Sequence, residues 1–108
     1  MTTKVLADSA VCGYKNLITV NKEGKNIKIN LVSGCSSIKK YNDNLTDVKV
    51  EDLYSMENSK ILKKATESSV SPSCIVPVAI MNACWIESGM MSKNLALSKK
   101  ELKIVFEE

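Results

Sequence analysis

The stretch Val11–Ile38, VCGYKNLITVNKEGKNIKINLVSGCSSI, decides the fold. Two runs, Lys15 to Lys22 and Lys25 to Ser33, alternate apolar and polar residues and are split by KEGK. A period of two marks a strand buried on one face, and a glycine-bearing break between two such runs reads as a β-hairpin. The register follows from which residues must share the buried face. Ile18 and Val20 need it on the first strand; Ile27, Ile29 and Leu31 need it on the second. A two-residue loop at Glu23-Gly24 meets this demand, setting Lys22 opposite Lys25, Val20 opposite Ile27 and Ile18 opposite Ile29. A three-residue loop sets Val20 against Asn26, a mismatch. A four-residue loop keeps the faces matched and moves the flanking cysteines apart by two positions. Extended outward, the two-residue register brings Cys12 opposite Cys35, with sulfurs expected roughly 3–7 Å apart.

Around the hairpin the remaining elements fall in order. Val5 to Ala7 reads as a short strand. Ser36 or Ser37 is placed to cap a short helix over Ile38 to Asn42. Asp47 to Val50 reads as an edge strand or an extended link. Asn58 to Ser68 reads as a helix with Ile61, Leu62 and Ala65 on one side. Ser69 to Cys74 is a serine-rich loop, and Pro77 opens the longest helix, running to about Met91. The tail ELKIVFEE alternates Leu102, Ile104 and Phe106 with polar residues, apart from Val105. It reads as a last strand or as a helix turn begun by Ser98-x-x-Glu101. Strands first and helices later predict an α+β domain spanning residues 1–108. Its antiparallel sheet has about three or four strands, with helices packed on one face.

Composition narrows the function. The net charge of +3 comes from 15 basic and 12 acidic residues, with one Phe and one Trp to stack on bases, so a nucleic-acid partner is not expected. No apolar run is long enough to span a membrane, and the segment MTTKVLADSAVCG has no secretory pattern. The expected compartment is the cytoplasm, where four cysteines serve less as staples than as core residues, metal ligands or reactive thiols. With no histidine in the chain, Cys/His zinc sites and Ser–His or Cys–His catalytic pairs are excluded. The expectation is a binding protein rather than an enzyme.

Cys12, Cys35 and Cys74 stand at loop-to-element junctions, the last two just ahead of helices. A helix start favours a thiolate. These three are the candidate metal ligands. Their spacing matches no compact zinc signature, so scattered structural cysteines are the alternative reading. Cys84, between Ala83 and Trp85 inside the long helix, reads as structural core. Glu87 lies on the helical stripe of Ile80, Ala83 and Met91. It reads either as a buried carboxylate, serving as an additional ligand or a proton carrier, or as an edge residue reaching solvent. Trp85, Met90 and Met91 read as core or a contact patch, and KNLALSKKELK as a solvated basic segment.

The order of short motifs resembles the iron–sulfur cluster assembly scaffolds of the IscU/NifU N-terminal type. These motifs are VCG before a hairpin, EGK at its tip, SGCSSI opening the next helix, and SC before a later helix with AIMNA. The resemblance covers roughly residues 4 to 92. The pattern VCG…C…C-x-VP-x-AI also looks like a small family of cysteine-bearing proteins from anaerobic bacteria and archaea. The resemblance implies an IscU-like two-layer sandwich and an iron–sulfur cluster, or an iron or zinc ion, held by Cys12, Cys35 and Cys74. It further implies a cysteine desulfurase or an iron–sulfur client protein as partner. A homodimer would allow a second subunit to complete the ligand set. The sequence departs from the scaffold pattern at Tyr14, where the family carries Asp, and at Ser73, where it carries His. SVSPS replaces the family's proline-rich segment. A thiol-redox or persulfide-transfer protein and a non-catalytic adaptor of the same fold remain as alternatives.

Overall fold

The computed structural model describes residues 2–108. Four strands form one antiparallel meander in the order β1-β2-β3-β4. They are β1 (Thr2–Ser9), β2 (Tyr14–Glu23), β3 (Asn26–Val32) and β4 (Asp47–Lys49). The helices are α1 (Ser36–Asn44), α2 (Lys60–Glu67), α3 (Val76–Glu87) and α4 (Lys93–Lys99), with a 3-10 turn at Val50–Leu53. The expected α+β class and the four-stranded antiparallel sheet are what the structure shows. No helix among the described residues is long and apolar enough to cross a membrane.

The period-two pattern produces the core directly. Ala7, Ile18, Val20, Ile27, Ile29 and Leu31 are buried on one sheet face. Ile38 and Tyr41 of α1, Ile61 and Ala65 of α2, and Val76, Ile80, Ala83 and Cys84 of α3 close over them. The long helix packs across β1 and β2, and α1 packs on β3. It is apolar nearly all round, as a buried helix is. Tyr41 spans this layer and donates its hydroxyl hydrogen bond to the Ile61 carbonyl at 2.7 Å.

The hairpin register corrects the expected one by two positions. Glu23 pairs with Asn26, Val20 with Ile29 and Ile18 with Leu31, so the two-residue loop is Gly24-Lys25. Gly24 has φ +62°, while Lys25 is not left-handed, the glycine-first pattern of type II′ hairpin turns. A shift of two keeps every apolar residue on its face, so burial cannot distinguish the two registers; turn chemistry does.

Other boundaries moved for local reasons. Cys35 itself is the N-cap of α1, with extended φ and ψ, and Ser36 and Ser37 lie inside the helix. The segment KNLALSKKELK is solvated as expected, with no buried residue, and its first part is helical. Ser92 caps α4, its hydroxyl accepting from the Leu95 amide at 3.1 Å, and the helix stops at Lys100, whose φ is +72°. Beyond it, residues 101–108 are exposed and form neither strand nor helix turn.

Candidate thiol site

Chain direction gathers three cysteines at one end of the sheet. The turn from β1 to β2 carries Cys12; β3 runs back to the same end and leads into Cys35. The long helix α3 ends with Glu87 against Thr3 and Lys22, at the opposite end of the sheet. Its start, with Cys74 just ahead, therefore lies toward the Cys12 and Cys35 end.

Each junction has its own construction. Cys12 is exposed in a tight turn closed by its own amide and that of Gly13, which donate to the Ser9 carbonyl at 3.0 and 2.8 Å. Gly13 supplies the left-handed residue, φ +82°, that returns the chain to β2. Cys35 is half-buried; its carbonyl accepts the first helical hydrogen bond from Lys39, and its amide donates to the Ser33 hydroxyl at 3.0 Å. Cys74 is half-buried against the core, its amide bonded to the Ser71 carbonyl at 2.9 Å. Tyr14, standing where the resembled family has Asp, lies over Gly34: a Cβ there would meet its ring carbons at 3.3 Å.

One residue ties two of these junctions together. Asn16, 2% exposed, donates to the Ala7 carbonyl at 3.0 Å and to the Ser9 hydroxyl at 3.1 Å. Its side-chain oxygen accepts from the Ser33 hydroxyl at 2.5 Å. Ser9 anchors the Cys12 turn and Ser33 holds the Cys35 amide, so one buried amide sets the backbone around both thiols. Sequence reading missed it. The available signal was an Asn on the core face of β2, which demands partners when buried.

The thiols differ in acidity. The thiol of Cys74 is raised, first by burial; a hydrogen bond from the Val76 amide opposes this, and the electrostatic influence of Cys12 and Cys35 raises it further. The expected lowering at the start of α3 is thus outweighed by desolvation. All four cysteines are free thiols. Among the described residues, no three Cys, Asp or Glu side chains stand together closely enough to hold a metal ion. The ladder does not set Cys12 opposite Cys35: it ends at the Leu17–Val32 pair, before either cysteine.

Glu87 does not join this group. It is 2% exposed, with one carboxylate oxygen accepting from the Thr3 hydroxyl at 2.8 Å and the other from the Lys22 amide at 2.9 Å. The length of α3, about 16 Å at 1.5 Å per residue, separates it from the Cys74 end. Its reading as an additional ligand, and equally as an edge residue reaching solvent, is corrected: it satisfies the backbone of β2 and the start of β1.

Cys84 is fully buried in the core, as its mid-helix position implied. Burial pushes its thiol up to about 12, with Glu87 and Asp52 adding in the same direction. Tyr41 is also raised, chiefly by burial. Both groups are held neutral by the fold, so their stabilisation is complete below the unfolded-state values. It is lost as pH rises toward the folded ones. Stability should therefore fall progressively from about pH 9 upward. Denaturant midpoints across that range should drop less in Cys84→Ala than in the parent, once each is referred to its own neutral-pH value. Equal slopes would remove Cys84 as a cause.

Compared with curated proteins and with solved structures, the chain matches none. Residues 3–99 match the model of a family of unknown function (DUF6951), and the chain belongs to that family.

Proposed function

We propose that Cys12, Cys35 and Cys74 form a thiolate site for an iron–sulfur cluster or another soft metal, in a protein related in role to assembly scaffolds or carriers. The observation that carries this reading is the placement of three free thiols, on three separate junctions, at one end of the sheet. Sulfur donors in a chain without histidine suit iron–sulfur clusters, zinc and copper(I). In this reading the exposed Cys12 thiol closes onto Cys35 and Cys74 as the metal binds. Asn16 holds the Cys35 backbone, and Tyr14 covers Gly34 between the two thiol-bearing segments. A cytoplasmic setting, with a cysteine desulfurase or client protein as partner, belongs to the same proposal.

Anaerobic reconstitution with iron and sulfide, and separately with zinc, tests it. The expected result is metal uptake with thiolate-to-iron charge-transfer absorption in the iron sample. Serine at Cys12, Cys35 or Cys74 should each weaken retention by about tenfold or more, and Cys84→Ser should not. Uptake of neither metal by the parent protein would sink the reading. The open arrangement of the thiols favours a second one, sulfur transfer or thiol redox. It would appear by mass spectrometry as a persulfide on, or a disulfide between, these three cysteines.

A further inference from the structure

The edge of the sheet at β1 and the tail after α4 fit each other. Among the described residues β1 pairs only with β2, leaving an eight-residue strand edge with no strand beside it. On the face away from the helices, Leu6 stands beside Leu17 and Leu17 beside Val32, an apolar row that is 59%, 42% and 57% exposed. The tail exposes Leu102, Ile104, Val105 and Phe106. Exposed edges and apolar strand-like segments are templates for pairing.

Charge selects the direction. With Val105 set opposite Leu6 in an antiparallel pair, Lys103 faces Asp8 and Glu107 faces Lys4. The same alignment continues the apolar row from Val32 through Leu17 and Leu6 to Val105. On the other face, Phe106 meets Val5 and Ile104 meets Ala7. A parallel pair with the same contact sets Lys103 against Lys4 and Glu107 against Asp8, like charge on like, which is unfavourable directly across strands. The one residue that breaks the tail's alternation, Val105, is the one the row requires.

The antiparallel partner is poorly placed in the same chain. Such pairing starts with Leu102 at Ser9, about 24 Å along β1 from Thr2. The Lys93 ammonium donates to the Thr2 carbonyl, so α4 begins at the wrong end of β1, at a contact of 2.6 Å. Its seven residues advance about 10 Å. Covering the remainder would use about four tail residues before pairing began. A second copy has no such constraint. We infer that residues 101–108 of one copy add as an antiparallel strand to β1 of another, reciprocally, forming a two-fold dimer.

Sedimentation of the full chain tests this. A dimer is expected, and truncation before Glu101 should leave a folded monomer, since the tail buries nothing within its own chain. Lys4→Glu or Glu107→Lys alone should weaken dimerisation by about tenfold, and the two together should restore it. A full chain that stays monomeric at high concentration would overturn the inference, even if hydrogen exchange shows its tail protected by its own β1. So would a dimer that survives truncation, or a double variant as weak as the singles.

Discussion

Replacing Glu87 with alanine should destabilise the protein by about 3–4 kcal/mol, a large share of the stability of a domain this size. The carboxylate bonds the Thr3 hydroxyl and the Lys22 amide from inside a site that water does not reach. Alanine leaves the buried Thr3 hydroxyl and the part-buried Lys22 amide without their acceptor and adds a cavity, and the loss at Thr3 is not recovered by solvent. Glutamine should cost far less, under about 1.5 kcal/mol, because its oxygen can accept from Lys22 while its amide donates to the Thr3 oxygen. Urea denaturation of the two variants separates hydrogen bonding from charge. Equal loss in both would mean that the negative charge itself is required. A benign alanine would mean that the carboxylate is not the connection between α3 and the sheet.

Glu87 also shows where sequence reading stops. The stripe of Ile80, Ala83 and Glu87 was legible, and so was the possibility of burial. What the carboxylate touches was not, because Thr3 and Lys22 are brought to it by a strand pairing and a helix packing far along the chain. The sheet was legible because alternation in β2 and β3 leaves one choice of buried face. The register was off by two because that choice is unchanged by an even shift, and only the left-handed Gly24 at the turn separates the two solutions. The cysteine end survived the error, since both registers carry Cys12 and Cys35 to the open end of the hairpin. The strand after α4 did not form within the chain: a period-two pattern states which face is apolar, not which edge it will meet.

Asn16→Leu should cost about 2–4 kcal/mol, although it replaces a polar group in the core by an apolar one of similar size. The Ala7 carbonyl loses its side-chain donor and the Ser33 hydroxyl loses its acceptor, with Ser9 released as well. Asn16→Asp is the sharper probe. A carboxylate can still accept from Ser33 but cannot donate to the Ala7 carbonyl, and it places charge beside that oxygen in a buried site. The charged form is disfavoured in the fold, so the aspartate's folded-state pKa should rise above its unfolded value near about 4. Stability is then retained below that value and lost as pH increases. The Asp variant should therefore approach the parent at about pH 4 and fall well below it at pH 7, with the parent measured at both. A pH-independent deficit would show that the donor to Ala7 carries little. The same network predicts a local effect on the thiols. With Ser33 no longer anchored, the Cys35 amide loses its fixed partner and the start of α1 loosens. Cys35 in Asn16→Leu should react faster with a soluble alkylating agent while Cys84 stays protected. Simultaneous exposure of Cys84 would mean that Asn16 supports the core as a whole and does not specifically set the thiol-bearing turns.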